Sequence, residues 1–249
     1  FQTEFVGNHA KSGGAIYTEG ASEKYANLYI DECSFDGHYI TATYGTTINI
    51  NGIGVFCMNN TSIRNSYNTS KQKADKASWV AMDVVQEYTS ISNCSIIGNT
   101  QYGSDASSLT TMSDAGLIAL WGNNHYFTNN IIVPESDAVV SILGGGSDKI
   151  DLSYNHYNTV SGVEATDNGG NTDEHTSADF GSLVWTDGCW MWNGQIGGAA
   201  PEMMTQEAVL ARFNSVCPAF VEWCGEDFYK DQLGVVRTGA WWPGAYQKN

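Results

Sequence analysis

Hydrophobic positions recur along the first two thirds of the chain in one fixed figure. An apolar residue at x is followed by a small or polar one at x+3 and a large apolar one at x+5. The copies are Ile30-Cys33-Phe35, Met58-Thr61-Ile63, Ile91-Cys94-Ile96, Phe127-Asn130-Ile132 and Leu152-Asn155-Tyr157. Inward positions of a strand recur every second residue, so a step of three places a corner between two short strands. The residues inside the step are Asp31-Glu32, Asn59-Asn60, Ser92-Asn93, Thr128-Asn129 and Ser153-Tyr154. Most are short polar types that bond their own backbone in turns. Phe5 fills the x+5 slot of an earlier copy, and the slots from Phe5 to Tyr157 are 30, 28, 33, 36 and 25 residues apart. A further apolar stretch separates the copies, at 13–17, 46–50, 78–84, 116–121 and 138–143.

Each unit therefore offers about three short strands, too few to bury a face alone, and becomes stable by stacking like upon like. The pattern predicts an all-β fold, a single-stranded right-handed parallel β-helix over residues 1–160. A β-sandwich or jelly roll is the rival, but it requires hairpin dipeptides at regular spacing. Asn-Gly occurs at just three irregularly spaced places, Asn51-Gly52, Asn168-Gly169 and Asn193-Gly194. In this register the buried slots of Cys33 and Cys94 are filled by small apolar side chains, and Asn130 and Asn155 become structural amides that need backbone partners.

Beyond residue 160 the rhythm stops. Residues 161–181, rich in Gly, Asn, Asp, Thr and Ser, read as a long surface loop. Residues 201–214 read as a short amphipathic helix with Met203, Met204, Ala208, Val209, Leu210 and Phe213 on its apolar side. The segment 161–249 is expected to be an irregular cap, with one short helix, that covers the last coil of the same domain. Because the repeat starts almost at Phe1, earlier coils or another domain are expected before it.

Charge narrows the partners. The 249 residues carry 11 Lys and Arg against 27 Asp and Glu, a net −16, which repels nucleic acid and anionic membrane. Membrane insertion is not expected, because no apolar run is long enough to span a bilayer. Neutral glycans, cations and basic partners remain. The six cysteines contain no Cys-x-x-Cys pair, which argues against structural zinc. Cys217 and Cys224 flank a short Pro-containing segment; spacing alone leaves their disulfide status open.

The segment Phe5-Val6-Gly7-Asn8, followed by Gly13-Gly14-Ala15-Ile16, resembles the paired Phe-x-x-Asn and Gly-Gly-Ala-Ile motif of polymorphic outer-membrane protein repeats of Gram-negative bacteria. More broadly, the first two thirds resemble pectate-lyase-like right-handed β-helices. Asp227-Phe228-Tyr229, Gly234, Arg237 and Gly244-Ala245-Tyr246 resemble the closing segment of bacterial surface β-helix proteins. These resemblances imply an extracellular or bacterial cell-surface protein that binds or degrades polysaccharide.

Candidate chemistry is sparse. Pectate-lyase-like enzymes use carboxylate-held Ca²⁺ with a basic residue, and the bases of the repeat are Lys11, Lys24, Arg64, Lys71, Lys73, Lys76 and Lys149, three of them crowded together. Asn171-Thr172-Asp173 faintly resembles a polygalacturonase motif, without the other residues of that family. The run 167–173 supplies hard oxygen atoms, so Ca²⁺ is a possible cofactor. In the strand around Asp83, Val80, Met82 and Val84 point inward, while Trp79 and Asp83 point out. Stacked coils would line up Tyr17, Trp79, Asp83, Trp121 and His125 as an aromatic and acidic strip for sugar rings and hydroxyls. Trp185, Trp190 and Trp192 form a second aromatic cluster, for sugar or for cap packing. Two functions follow: a surface module that binds polysaccharide or a surface protein, or a lyase or hydrolase whose catalytic groups are spread over adjacent coils.

Overall fold

The computed structural model describes residues 2–11, 13–19, 27–40, 47–68, 79–85, 88–97, 99, 116–122, 124–135 and 140–247, with the side chains of 40, 67, 68, 79–85 and 146–148 outside the description. The chain winds through short strands in a repeating order. The first turn contains β1 (Glu4–Val6), β2 (His9–Ala10) and β3 (Ile16–Tyr17); the second contains β4 (Asn27–Asp31), β5 (Ser34–Asp36), β6 (Tyr39–Ile40) and β7 (Ile48–Asn51). The third has β8 (Val55–Asn59), β9 (Ser62–Arg64), β10 (Tyr67–Asn68) and β11 (Trp79–Val85). Then come β12 (Tyr88–Ser92), β13 (Ser95–Ile97) and β14 (Gly116–Trp121), followed by β15 (His125–Thr128), β16 (Ile131–Val133) and β17 (Val140–Ser153). The last turn has β18 (His156–Tyr157) and β19 (Val160–Asp167).

Every pairing among these strands is parallel, and like pairs with like. Phe5 stands opposite Phe35, Phe35 opposite Ile63, Ile63 opposite Ile96, Ile96 opposite Ile132 and Ile132 opposite Tyr157. The x positions form a second column, Ile30, Met58, Ile91, Phe127 and Leu152. Both columns point into one apolar interior that also holds Ile48, Ile50, Phe56, Ile118 and Leu120. The result is an all-β, solenoid-like stack in which a parallel sheet curls through 223°. It presents three main faces. The first is β3-β7-β11-β14 and the start of β17; the second is β4-β8-β12-β15 and the end of β17; the third is β1-β5-β9-β13-β16-β18.

The corners explain the three-residue step. Glu32, Asn60, Asn93, Asn129 and Tyr154, each at x+2, have φ between 44° and 60°. Asn tolerates that left-handed conformation best among residues with a Cβ, so the asparagine-rich corners follow from backbone sterics. Inside them run two amide ladders. In the inner one, Asn130 accepts from the backbone N–H of Cys94 at 2.9 Å and donates to the Asn155 oxygen at 2.8 Å and to the Ile91 carbonyl at 2.8 Å. Asn155 in turn donates to the Phe127 carbonyl, and Asn171 extends the ladder by one rung. In the outer one, Asn129 donates to Asn93 and Asn93 to Asn59, both at 2.8 Å. The coils above and below thus satisfy the amides of the inner ladder, while in the outer one the Asn129 oxygen is left without a partner.

The C-terminal third holds one helix more than expected. It contains two helices, α1 (Gln206–Val216) and α2 (Pro218–Cys224), with Thr205 capping α1 by accepting from the Ala208 N–H. Both lie along the flank of the stack. Val209, Phe213, Phe220 and Phe228 pack with Cys57 and Tyr29 on the outside of the second face. A hairpin, β20 (Val184–Thr186) with β21 (Cys189–Met191), and the closing residues cover the third face, where Phe180, Trp192 and Ile196 meet Ile97, Ile131 and Val133. Ser62 and Ser95, in one outward column, bond Gln232 and the Ala245 N–H. The last rung β19 stays largely exposed, Asn171 and Thr172 continue the stack beyond Asn155 and His156, and the helices and hairpin form a lateral clasp. The sequence could not show this, because one amphipathic helix fits the end of a stack or its side equally well.

Candidate functional site

On the first face, none of the described outward side chains belongs to either apolar group under the helices or the hairpin. One backbone column of this face runs Tyr17, Asn49, Asp83, Ala119, Leu143 and Ser161 in unbroken parallel register. The next column holds Asn51, Val85 and Trp121. The alternation is written in the chain: Ile48 and Ile50 are buried in the core, which turns Asn49 and Asn51 outward. Asn49 and Ala119 form a buried floor, while Tyr17 is 50 % exposed and Trp121 half-buried. Tyr17 Oη donates to Glu19 at 3.2 Å, and that bond raises the phenol's pKa, so the hydroxyl is neutral and held in place. Rungs repeat every 4.7–4.9 Å, so Tyr17 and the level of Trp121, three rungs on, span about 14 Å.

Of the five residues expected in one strip, the register brings the backbones of Tyr17, Asp83 and Trp121 to this face. The side chains of Trp79 and Asp83 lie outside the described part. Trp79 pairs with Gly116, and a register shift between Trp79 and Met82 interrupts the alternation that would tie it to Asp83. His125 is elsewhere. The chain turns at Gly122 and Asn124, both at positive φ, and His125 begins the second face in the inward column of Phe56, Thr89 and Ile150, fully buried. Its parity with Phe127, two residues on, was the signal that placed it inside. Asn49 and Asn51 are the polar groups that sequence reasoning passed over.

The 167–173 loop uses its oxygen atoms internally. Asp167 accepts from the Gly169 N–H and from Asn171, and the Asn171 oxygen accepts from Asn155. Among the described residues no group of three His, Cys, Asp or Glu side chains is arranged to hold a metal ion. The second aromatic cluster is mostly packing: Trp192 is buried against Phe180 and Trp242, and Trp185 lies 4.0 Å from the Arg64 guanidinium, which is also paired with Asp36. A polar cleft of about 340 Å³, lined by Gln2, Glu4, Glu32, Ser34, Asp187 and Gln232 among others, opens beside the second corner. Gln2 donates to Glu32 across it at 2.6 Å.

Asp31 and His156 are among the strongly perturbed buried groups. Burial pushes Asp31 up to about 7 although Cys224, Asn59 and Asn60 bond its carboxylate; nearby Glu32 adds to the rise. Burial pushes His156 down to about 3, with His175 beside it adding to the effect. Both sit in corners or packed loops, not on the first face.

Comparison of the chain with protein-family models, curated proteins and solved structures finds no match. Its class therefore rests on its own geometry: an all-β protein whose parallel strands stack into a solenoid-like sheet.

Proposed function

We propose that the chain is a right-handed parallel β-helix of the pectate-lyase-like kind, a secreted or bacterial cell-surface module that binds polysaccharide along its first face. What carries the reading is the register column Tyr17–Asn49–Asp83 with Trp121 beside it, on a face where Tyr17 is half exposed. Aromatic rings offer apolar faces to the C–H side of sugar rings, and amides and a carboxylate take the hydroxyls. The span of about 14 Å along the stack suits an extended chain of several sugars better than a single ring. The net charge of −16 selects neutral glycans over acidic ones.

The test is native gel electrophoresis in gels containing neutral plant, host or microbial polysaccharides, with product analysis of the same mixtures with and without Ca²⁺. Retarded migration without cleavage, lost in a Tyr17→Ala, Trp121→Ala double variant that still folds, is the expected result. New reducing or unsaturated ends would convert the binding module into an enzyme. Unchanged migration across the panel would remove the glycan reading.

A further inference from the structure

Three of the six thiols gather under the clasp. Cys57 points outward from β8, next to Tyr29 in the same column, and Cys217 and Cys224 come down on it from the helices, all three buried in one apolar cluster. Cys217 is the single residue between α1 and α2, capping the end of one and the start of the other, so its backbone is fixed at the point where the helices press on the stack. Its sulfur lies 3.8 Å from Tyr29 Oη, and Tyr29 stands directly opposite Cys57 in the parallel register.

The three are not equivalent partners. Helix α2 occupies the whole interval from Pro218 to Cys224, and at about 1.5 Å per residue it holds the Cα atoms of Cys217 and Cys224 roughly 10 Å apart. A disulfide needs less than about 7 Å, so these two cannot join without unwinding the helix. Cys224 is engaged elsewhere, with the Asp31 carboxyl. Cys57 and Cys217 share one buried cluster, on either side of Tyr29.

We propose that Cys57 and Cys217 are a dithiol that closes into a disulfide in an oxidising compartment and covalently fastens the C-terminal clasp to the third coil. Cys217 is the attacking sulfur: its neighbours Cys57 and Tyr29 stabilise its thiolate and lower its pKa to about 6, while Cys217 itself and burial drive Cys57 upward. With a small disulfide such as oxidised glutathione as oxidant, the Cys217 thiolate forms a mixed disulfide and releases one glutathione thiolate. Cys57, giving up its proton, then displaces the second glutathione. Two protein thiols are oxidised to one disulfide, and one glutathione disulfide is reduced to two thiols. This joins residues 160 positions apart.

The full chain is refolded in a glutathione redox buffer, remaining thiols are blocked with an alkylating agent, and the digest is mapped by mass spectrometry. The expected product is one cross-link between the peptides carrying Cys57 and Cys217, retained in Cys224→Ser and lost in Cys217→Ser. Its urea midpoint exceeds that of the reduced protein and returns when dithiothreitol is added. A Cys217–Cys224 link, glutathione adducts alone, or six alkylated cysteines would each overturn the proposal. None of these outcomes depends on glycan binding.

Discussion

The Arg237 guanidinium donates a 3.0 Å hydrogen bond to the side-chain oxygen of Asn60, a corner residue 177 positions earlier in the chain. The same fork donates to the carbonyls of Gly244 and Trp242 and to Gln247, and it lies over Trp241. Asp231, also buried, accepts from the N–H groups of Leu233, Val235 and Gln247. One cation and one carboxylate thus organise the closing segment and latch it to the asparagine corners.

Removing that cation leaves several buried acceptors without a donor. Arg237→Met is expected to cost about 3–5 kcal/mol, the range for breaking a buried charged network. Arg237→Lys should recover only part of this, because an ammonium cannot reproduce the planar fork. Urea unfolding, with limited proteolysis to follow release of the C-terminal residues, measures both. A loss below about 1 kcal/mol for Arg237→Met would remove the latch from the account.

The inner amide ladder makes a separate prediction. Asn155→Leu retains an apolar shape but removes an acceptor from Asn130 and a donor to the Phe127 carbonyl. Stranded buried groups cost about 1–3 kcal/mol each, so a fall of roughly 2–4 kcal/mol in unfolding free energy is expected. A neutral substitution would mean that the ladder accompanies the fold without stabilising it.

Glycine 244 allows the closing segment to approach the third face. Its φ is +85°, and a Cβ there would stand 2.5 Å from Ser95 Oγ and 2.9 Å from Ile131 Cδ1. Gly244→Ala is expected to destabilise by at least about 1–3 kcal/mol through strain and displacement. The Trp190 and Trp242 fluorescence should become more solvent-like in the same variant, because both rings pack in the neighbouring cluster.

Asp31 gives the stack a dependence on pH. Its folded pKa is raised to about 7 from an ordinary 3.8, so the native state keeps a proton that the unfolded chain releases. The stability linked to that proton is complete below pH 3.8 and is lost as pH rises through 7. Asp31→Asn stays neutral throughout and keeps an oxygen for Asn59. Wild type and variant should therefore converge near pH 4, with the variant gaining about 2–4 kcal/mol over wild type by pH 8. His156 acts in the opposite sense below its ordinary 6.5, since its folded pKa falls to about 3, and it cancels in the comparison. A difference that does not change with pH would contradict the buried carboxyl.

Legibility in the sequence followed the range of the interactions. The x, x+3, x+5 figure is local, and Phe35, Ile63 and Ile96 do stand one above another. The roles of Cys33, Cys94, Asn130 and Asn155 as buried slot-fillers were likewise readable, because position in the figure dictates burial. The clasp was not. Its anchors are single contacts between distant residues, Arg237 with Asn60 and Gln232 with the Cys33 carbonyl, and no periodicity announces them. On the candidate site, Tyr17, Asp83 and Trp121 share a face because parity within one strand could be counted. His125 was misplaced because the corner at residues 122–124 resets that count, and only its spacing from Phe127 reveals the new phase.

The most direct test of the glycan face is hydroxyl-radical footprinting, with and without a polysaccharide that retards the chain. Oxidation of Tyr17 and Trp121 should fall when glycan is present, whereas Trp223, 40 % exposed on the helical flank, should be oxidised at an unchanged rate. Protection confined to Trp223 or Trp185, with Tyr17 and Trp121 as reactive as before, would place the ligand on the clasp and contradict a binding face built from the stacked coils.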